Sequence, residues 1–559
     1  MPCRLLSVIV GLMICVAVVL AGTTRAFADT QRIAFGLSGI SDWSTQHPFL
    51  DVMKSARPWI GHLPGQWGGV EFDEMLSDGI FDAQGWPVRI PLGVTKLESL
   101  ILTDQPLEAQ HLGGRYVLRY DGEGDLTVTG RARVITREPG LRIFSYTPGP
   151  GSVGVVISST RADNPIRNVR VIPEKYLQQY DSGQVFNPDW LDIIKSAGVI
   201  RFMDWMLTNG SPIARWDDTP RTDDFTYAWR GVPLPVMVEL ANRLEADPWF
   251  NIPHLADDDL VRRFAQSVRA DLDPNRMAYI EYSNEVWNFI FEQAHWAARQ
   301  ADDLWGETPD GWMQFYGYRA ASVMKIWSDV YGSEADVRLN RVAAVHTGWP
   351  ELEQSLLTGG NATATLGRPP ADLFDSYAVT GYFGTELGQA ETLEEAFNTA
   401  QENAEQEGRA NGLSRVALRE FVTANRFSGM DIRAAEIVRN GSLRDLTEVL
   451  WPYHARVAAA LDLDFIMYEG GTHAAAYGDA VEDERLVSFL IAFNYSQEMA
   501  DLYHEALIAW RALTESPFNA FVDVAGPSKW GSWGALRHLD DENPRWQTLM
   551  GSSGERDRN

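Results

Sequence analysis

The sequence is poor in cysteine. Its two cysteines, Cys3 and Cys15, both lie within the first 28 residues, which we expect to be removed. The remaining chain would then contain no disulfide, no thiol nucleophile and no cysteine-bound metal. A chain of this length can bury a large hydrophobic core without such cross-links.

The first 28 residues have the pattern of a secretory signal. Arg4 supplies a short positive start, residues 5–21 are almost wholly apolar, and Ala26-Phe27-Ala28 matches a cleavage site of small residues. The apolar run is short for a membrane-spanning helix. We therefore predict cleavage after Ala28 and a protein that is secreted or periplasmic.

Positive charge is scarce as well. The chain has 48 Lys and Arg against 76 Asp and Glu, a formal net charge of −28. This balance argues against nucleic acid or an anionic membrane surface as a partner. Beyond the N-terminal run no segment is apolar enough to span a membrane, so we expect no membrane partner after cleavage. The oligomeric state is left open.

Several catalytic signatures are missing from the sequence. There is no G-x-S-x-G elbow of a serine hydrolase, and the run G-S-W-G after the last predicted strand has neither Walker nor dinucleotide spacing. The histidines are scattered, without the H-E-x-x-H spacing of a metal site. We therefore expect neither a metal nor another cofactor.

What the sequence does contain is a repeated alternation of short apolar runs with amphipathic helical runs, which is typical of parallel α/β folds. Eight such units close naturally into a (β/α)8 TIM barrel. The predicted barrel strands are 32–37, 198–205, 248–254, 277–285, 337–345, 375–384, 464–471 and 519–525.

A different pattern interrupts this alternation. The run G-R-Y-V-L-R-Y-D-G-E-G-D-L-T-V-T-G, residues 114–130, alternates apolar and polar residues around Asp-Gly and Gly-Glu-Gly turns. Short strands of this kind predict an antiparallel, sandwich-like domain. The predicted divisions are 1–28 (signal), 29–85 (first β/α unit), 86–173 (β-rich insertion), 174–540 (the rest of the barrel, with a helical excursion at about 388–446) and 541–559 (C-terminal tail).

Polar and aromatic residues follow the predicted barrel strands. In parallel barrels the chemistry lies at the carboxyl ends of the strands, so these are the candidate site residues. Those expected to contact substrate are Arg201, Asp204, Trp205, Asn251, His254, Asn284, His346, Tyr382, His473, Trp530 and Trp533.

Two carboxylates, Glu285 and Glu469, end the fourth and seventh predicted strands. Glycosidic bond cleavage needs one acid to protonate the leaving oxygen and one carboxylate that faces the anomeric carbon. The alternatives are a helix-start carboxylate for Glu285 and a buried ion-pair partner for Glu469. Glu281 lies deeper on the fourth strand and is interpreted as a structural ion-pair partner.

This arrangement resembles the clan A retaining glycoside hydrolases, which carry Asn-Glu after strand four and a second Glu after strand seven. The resemblance spans roughly 190–535 and does not include the 86–173 insertion. It implies a secreted enzyme that cleaves β-linked glycans, such as β-glucan or cellulose-like chains, with its two carboxyl groups about 5–5.5 Å apart. The matching residues are Asn284-Glu285 (acid/base pair), Glu469 (nucleophile), Tyr382 (strand-six tyrosine), Arg201 (strand-two arginine) and Trp530 or Trp533 (strand-eight tryptophan).

Two other readings share the same residues. A carbohydrate-binding protein without activity could use the same scaffold, since a fold does not fix a function. A transglycosylase would differ only in passing the glycosyl group to a sugar instead of water. The sugar, its linkage and endo or exo action are left open by the sequence.

Overall fold

The computed structural model describes residues 33–551, so the predicted signal at 1–28 lies outside the described residues. Within 33–551, no helix combines the length and the apolar character needed to cross a membrane.

Eight parallel strands close into a barrel in the order of the chain, as the alternation of apolar runs predicts. Strands are numbered β1 to β17 along the described chain. All eight predicted strand positions are confirmed, although most strands are a few residues shorter than expected. The barrel strands are β1 (Ala34–Gly36), β11 (Val199–Arg201), β12 (Asp247–Ile252), β13 (Ala278–Tyr282), β14 (Leu339–Ala344), β15 (Ser376–Phe383), β16 (Asp464–Thr472) and β17 (Asn519–Phe521).

The side chains of these strands alternate between two apolar layers. One layer fills the inside of the barrel, and the other packs against the surrounding helices. On β11, for example, Val199 belongs to the inner layer and Ile200 to the outer one. The inner residues are Ala34, Val199, Trp249, Val342, Ala344, Ala378, Ile466 and Tyr468.

Helices connect and flank the barrel strands. The predicted helical excursion at 388–446 is observed as a group of helices between β15 and β16. The α-helices are α1 (Phe72–Ser77), α2 (Leu177–Asp181), α3 (Pro188–Ile194), α4 (Leu234–Leu244), α5 (Asp258–Asp271), α6 (Glu292–Trp305), α7 (Gly311–Tyr331), α8 (Ala335–Arg338), α9 (Leu352–Thr358), α10 (Gly360–Leu366), α11 (Ala390–Ala410), α12 (Arg415–Ala424), α13 (Met430–Asn440), α14 (Ser442–Arg444), α15 (Trp451–Ala460), α16 (Glu484–Phe493), α17 (Gln497–Arg511) and α18 (Pro544–Leu549).

Two antiparallel sheets follow β1, one ordered β10-β5-β8-β7 and the other β3-β2-β4-β9-β6. They share an apolar core of their own. Their first strand begins at Ile60, earlier than the expected boundary at residue 86, because two very short strands precede the region of clear alternation. The strands are β2 (Ile60–His62), β3 (Gly69–Val70), β4 (Lys96–Ile101), β5 (Gly114–Asp121), β6 (Gly124–Gly130), β7 (Arg133–Glu138), β8 (Leu141–Tyr146), β9 (Val153–Thr160) and β10 (Arg167–Pro173).

The segment predicted as a C-terminal tail is part of the fold as far as residue 551. Helix α18 packs on the barrel, where Trp546 stacks on Phe35 with ring centroids 5.9 Å apart. Arg545 is buried and donates a hydrogen bond to the carbonyl of Ser532 at 3.0 Å. Residues 541–551 therefore support the loop after β17.

Candidate active site

Arg201, the last residue of β11, is the central cation of the barrel mouth. Its Nη1 donates to Oε1 of Glu469 at 2.5 Å, and its Nη2 donates to Oε2 of Glu281 at 2.8 Å and to Oδ1 of Asn284 at 2.7 Å. Burial opposes the charged guanidinium, but the charges of Glu281 and Glu469 outweigh it and raise the pKa of Arg201. Arg201 therefore stays positively charged between the two carboxylates.

Glu281 is a buried ion-pair partner of this arginine. The same Oε2 also accepts hydrogen bonds from Trp249 Nε1 at 2.9 Å and Asn251 Nδ2 at 2.8 Å. Asn251 is itself fully buried and donates a second bond to the carbonyl of Ser283. Asn251 therefore holds Glu281 and the following turn, and the expectation that it contacts substrate is wrong.

Glu469 lies on β16 and accepts two hydrogen bonds, from Arg201 and from the Tyr382 hydroxyl at 2.7 Å. The second bond comes from the end of β15, the neighbouring strand. The carboxylate is thus held by one full charge and one hydroxyl donor.

A β-bulge directs Glu469 into the mouth. Strand β15 pairs Val379 with Met467 and then Thr380 with Glu469, so Tyr468 is an extra residue on β16. Strict alternation would send Tyr468 inward and Glu469 outward toward the helices. The bulge lets both side chains face the barrel interior.

Glu285 follows β13 in a turn with unusual backbone geometry. Ser283 and Glu285 have φ values of 61° and 42°, in the left-handed region that costs about 1–2 kcal/mol for a residue other than glycine. Oε1 of Glu285 accepts from the Tyr468 hydroxyl at 3.2 Å, and its Oε2 accepts from Asn288 Nδ2 at 3.0 Å. The turn therefore brings Glu285 to the bulge that carries Glu469.

The pKa of Glu285 is raised to about 8, first by burial and then by the negative charge of Glu469. Its hydrogen bonds with Asn288 and Tyr468 oppose this shift without cancelling it. A carboxyl group of this kind holds its proton at neutral pH. The site thus pairs a protonated acid with a carboxylate bound to arginine.

Asn284, next to Glu285, is fixed by a network of amides. Its Oδ1 accepts from Arg201, and its Nδ2 donates to Oδ1 of Asn209 at 3.1 Å. Gln293 from α6 donates to Asn209 and to the carbonyl of Asn284. These bonds fix the orientation of the Asn284 side chain beside Glu285.

An aromatic wall lies beside Tyr382. The ring of His473 is 5.5 Å from Tyr382 and 5.0 Å from Trp533, and Trp533 is 6.2 Å from Tyr382. Trp530, in contrast, is 63% exposed and packs under Lys529. Of the two candidate tryptophans after β17, Trp533 is therefore the one that packs beside Tyr382, and a substrate contact by the exposed Trp530 stays a prediction.

Asp204 and Trp205 follow β11 but differ in position. Trp205 is fully buried, stacks on Trp190 at 5.7 Å and donates to the carbonyl of Ser38. It is part of the core, so its predicted sugar contact is wrong. Asp204 keeps part of its surface exposed. Its carboxyl group is nevertheless poorly solvated, and this burial, followed by the charge of Glu469, raises the pKa of Asp204 to about 7.

The histidines after β12 and β14 lie at the edge of the site. His254 is buried with its ring against Trp296 at 5.4 Å, and burial lowers its pKa to about 4. It packs under α6, and its expected contact with substrate stays a prediction. His346 is half-buried, with its ring 4.3 Å from that of Trp287.

Two residues of this site escaped the sequence reasoning. Tyr468 donates a hydrogen bond to Glu285. Its neighbour Glu469 is predicted to face the barrel interior, and strict alternation along a strand would place Tyr468 on the opposite face. Asn209 lies in the loop after β11 and carries no motif. The Tyr-Glu-Gly-Gly end of β16 was the one available signal, because adjacent glycines often accompany bulges.

Among residues 33–551, no group of three or more His, Cys, Asp or Glu side chains is arranged to hold a metal ion. The chain matches no known protein-family model and no curated protein.

Proposed function

We propose that this protein is a secreted retaining glycoside hydrolase that cleaves β-linked glycans. One observation carries the proposal: Glu285 and Glu469 share the barrel mouth, where the pKa of Glu285 is raised to about 8 and Glu469 is bound by Arg201 and Tyr382. Retaining glycosidases require such a pair.

In the first step, an oxygen of Glu469 attacks the anomeric carbon while the bond to the leaving oxygen breaks. Glu285 gives its proton to that oxygen, and the sugar remains as an ester on Glu469. In the second step, the Glu285 carboxylate takes a proton from water, whose oxygen attacks the anomeric carbon and releases Glu469. Two inversions give net retention.

The leaving part of the glycan would extend on the side of Glu285. Aromatic side chains surround this side: Trp287, Phe289 and Trp312 follow β13, and Trp349 follows β14. Phe289 and Trp349 are largely exposed, and Trp312 lies between them with ring centroids at 5.4 and 6.3 Å. Exposed aromatic faces of this kind suit sugar rings and favour a glycan of more than one residue.

The test is release of reducing sugar from β-glucans, β-mannan and xylan by the wild type and by Glu285→Gln and Glu469→Gln. We expect both variants to lose activity by orders of magnitude with unchanged circular dichroism and melting temperature. Glu407→Gln, on the exposed face of α11, is the matched control and should retain full activity.

Other outcomes favour the alternatives. Binding of a glycan without cleavage would indicate a carbohydrate-binding protein on the same scaffold. Transfer of the glycosyl group to a second sugar, with little free reducing end, would indicate a transglycosylase. Full activity in either Gln variant would remove that carboxylate from the mechanism.

A further inference from the structure

A cleft of 820 Å³ lies beside the candidate active site. Its walls come from three parts of the chain: the loops after β1, β11 and β17, the segment 104–108 of the antiparallel region, and the segment 537–538 near the C-terminus. Its volume is within the range of small-molecule binding sites. The lining includes Trp43, Thr45, Glu108, Asp204 and His538.

The cleft adjoins the carboxylates. Asp204 lines it, and burial, followed by the nearby charge of Glu469, raises the pKa of Asp204. The loop after β17 lines the cleft at residues 525–528 and then returns as Trp533, whose carbonyl accepts a hydrogen bond from Val522 at 2.9 Å. One loop therefore contributes to the cleft and to the aromatic wall of the site.

The cleft contains buried polar atoms that lack partners. Thr45 and His538 are 5% and 6% exposed, and Thr45 Oγ1 and His538 Nδ1 have no hydrogen-bond partner among residues 33–551. Buried polar groups are normally paired, and an unpaired one costs about 1–3 kcal/mol. Both residues line the cleft, and each would reach a hydroxyl group of a bound ligand by turning its side chain toward it.

The charges of the cleft select the ligand class. Asp104 and Glu108 supply carboxylates and Asp204 supplies a carboxyl group with a pKa raised to about 7, whereas Arg537 is already bound to Asp541 through Nε at 3.0 Å. Carboxylates accept hydrogen bonds from hydroxyl groups and repel anions. Trp43 is 58% exposed, and its ring can stack on a sugar. The lining therefore suits a neutral sugar and not a uronic acid.

The position of the cleft indicates which part of the glycan would lie in it. Glu285 follows β13 and protonates the leaving group, so the leaving part lies on that side. In the barrel order β17 stands directly across from β13, with β1 next to it and β11 beyond β1. The cleft is bounded by the loops of these three strands, so it lies on the other side of the cleaved bond.

We propose that the antiparallel sheets and the C-terminal segment complete a binding subsite for neutral sugar residues on the glycone side of the cleaved bond. The sheets would thus have a direct part in substrate recognition. The wall is fixed, because Thr103 N donates to the carbonyl of Asp42 at 2.8 Å and His111 N donates to Asp540 Oδ2 at 2.8 Å. This inference rests on the proposed function for the orientation of the glycan.

The test is calorimetric titration of neutral β-linked tetrasaccharides of glucose, mannose and xylose, and of a tetrasaccharide of uronic acids. It uses Glu469→Gln, which should bind without turnover, alone and combined with Trp43→Ala or Thr45→Val. Trp67→Ala is the matched control, since Trp67 is 64% exposed and lies outside the cleft lining. We expect at least one neutral tetrasaccharide to bind, with about tenfold weaker affinity in each cleft variant and unchanged affinity in the control.

Two results would overturn the subsite: equal affinity in the cleft variants and the control, or preference for the uronic acid. Hydrolysis by the wild type is measured separately. If the cleft variants bind more weakly but the wild type hydrolyses no glycan, the subsite is supported and the hydrolase proposal is contradicted. If the wild type hydrolyses a glycan and the cleft variants bind as well as the control, the hydrolase proposal is supported and the subsite is contradicted. If no glycan is bound or hydrolysed, both proposals are contradicted.

Discussion

The two carboxylates at the centre of the site are chemically identical and differ through their surroundings. Glu469 faces a buried guanidinium and a tyrosine hydroxyl. Glu285 faces neutral donors and the negative charge of Glu469. Since like charges in a poorly solvated site cannot both ionise easily, the residue without a cation keeps the proton.

The raised pKa of Glu285 has a consequence for pH dependence. Because the proposed cleavage requires its protonated form, we expect kcat/KM to fall as the pH rises through about 8. An aryl glycoside whose leaving group needs no proton allows Glu285→Gln to carry out the first step. With this substrate, the kcat/KM of Glu285→Gln should no longer fall as the pH rises through about 8. A limb that persists in Glu285→Gln would assign the titration to another group.

The hydrogen bond from Tyr382 to Glu469 can be removed without changing the ring. A hydrogen bond to a charged group contributes about 1.5–3 kcal/mol, so we expect Tyr382→Phe to lower kcat about 10- to 100-fold. The control is Tyr453→Phe, because Tyr453 also donates to a carboxylate, that of Glu353, at 2.5 Å but lies outside the site. Equal losses in the two variants would show a general effect on folding.

At the scale of the element, two local irregularities create the site. The bulge at Tyr468 turns Glu469 inward, and the left-handed residues 283 and 285 end β13 with Glu285 beside it. A regular strand and an ordinary turn would place neither carboxylate in the mouth. Strain of this kind persists only where the surrounding packing holds it.

The strain at Ser283 is measurable. Its hydroxyl is buried without a partner among residues 33–551, so Ser283→Ala and Ser283→Gly both remove that group, and only glycine relieves the backbone. We expect Ser283→Gly to exceed Ser283→Ala by about 1 kcal/mol in the free energy of unfolding. Denaturant titration of both variants provides the comparison, and a less stable glycine variant would contradict the strain.

The sequence allows the barrel to be predicted because short apolar strands and amphipathic helices alternate with little ambiguity. The strand-end rule then identifies Arg201, Asn284, Glu285, Tyr382 and Glu469, which the structure brings together. It fails for Trp205, since a tryptophan after a strand serves equally well in the core. It also misses Tyr468, because a bulge depends on pairing between strands that are distant in the chain.

At the scale of the whole molecule, two apolar cores lie in one chain, that of the barrel and that of the antiparallel sheets. Phe225, in the long connection between β11 and β12, belongs to the second core and stacks on Trp59 with centroids 5.8 Å apart. Asp51, just after the first barrel strand, accepts from the backbone N–H of Val171 at 2.9 Å. Segments of each part thus stabilise the other.

Removing the Phe225 ring should therefore destabilise the antiparallel sheets first. We expect Phe225→Ala to cost about 3–5 kcal/mol and to reduce amide hydrogen-exchange protection in β4 to β10 more than in the barrel strands. Phe250→Ala, equally buried in the barrel core, should show the opposite pattern. Uniform loss of protection in both variants would mean that the two cores open as one unit. The milder Phe225→Leu is measured as well, in case Phe225→Ala unfolds the whole protein.

The most direct test of the two-carboxylate mechanism is mass spectrometry of Glu285→Gln after reaction with an activated aryl β-glycoside of a sugar that the wild type cleaves. The first step needs no acid with such a leaving group, whereas the second lacks its base, so the intermediate should accumulate. We expect a mass increase of one glycosyl group, located by peptide mapping on Glu469. Release of the aryl alcohol without an adduct, or an adduct on another residue, would contradict the assignment of Glu469 as nucleophile.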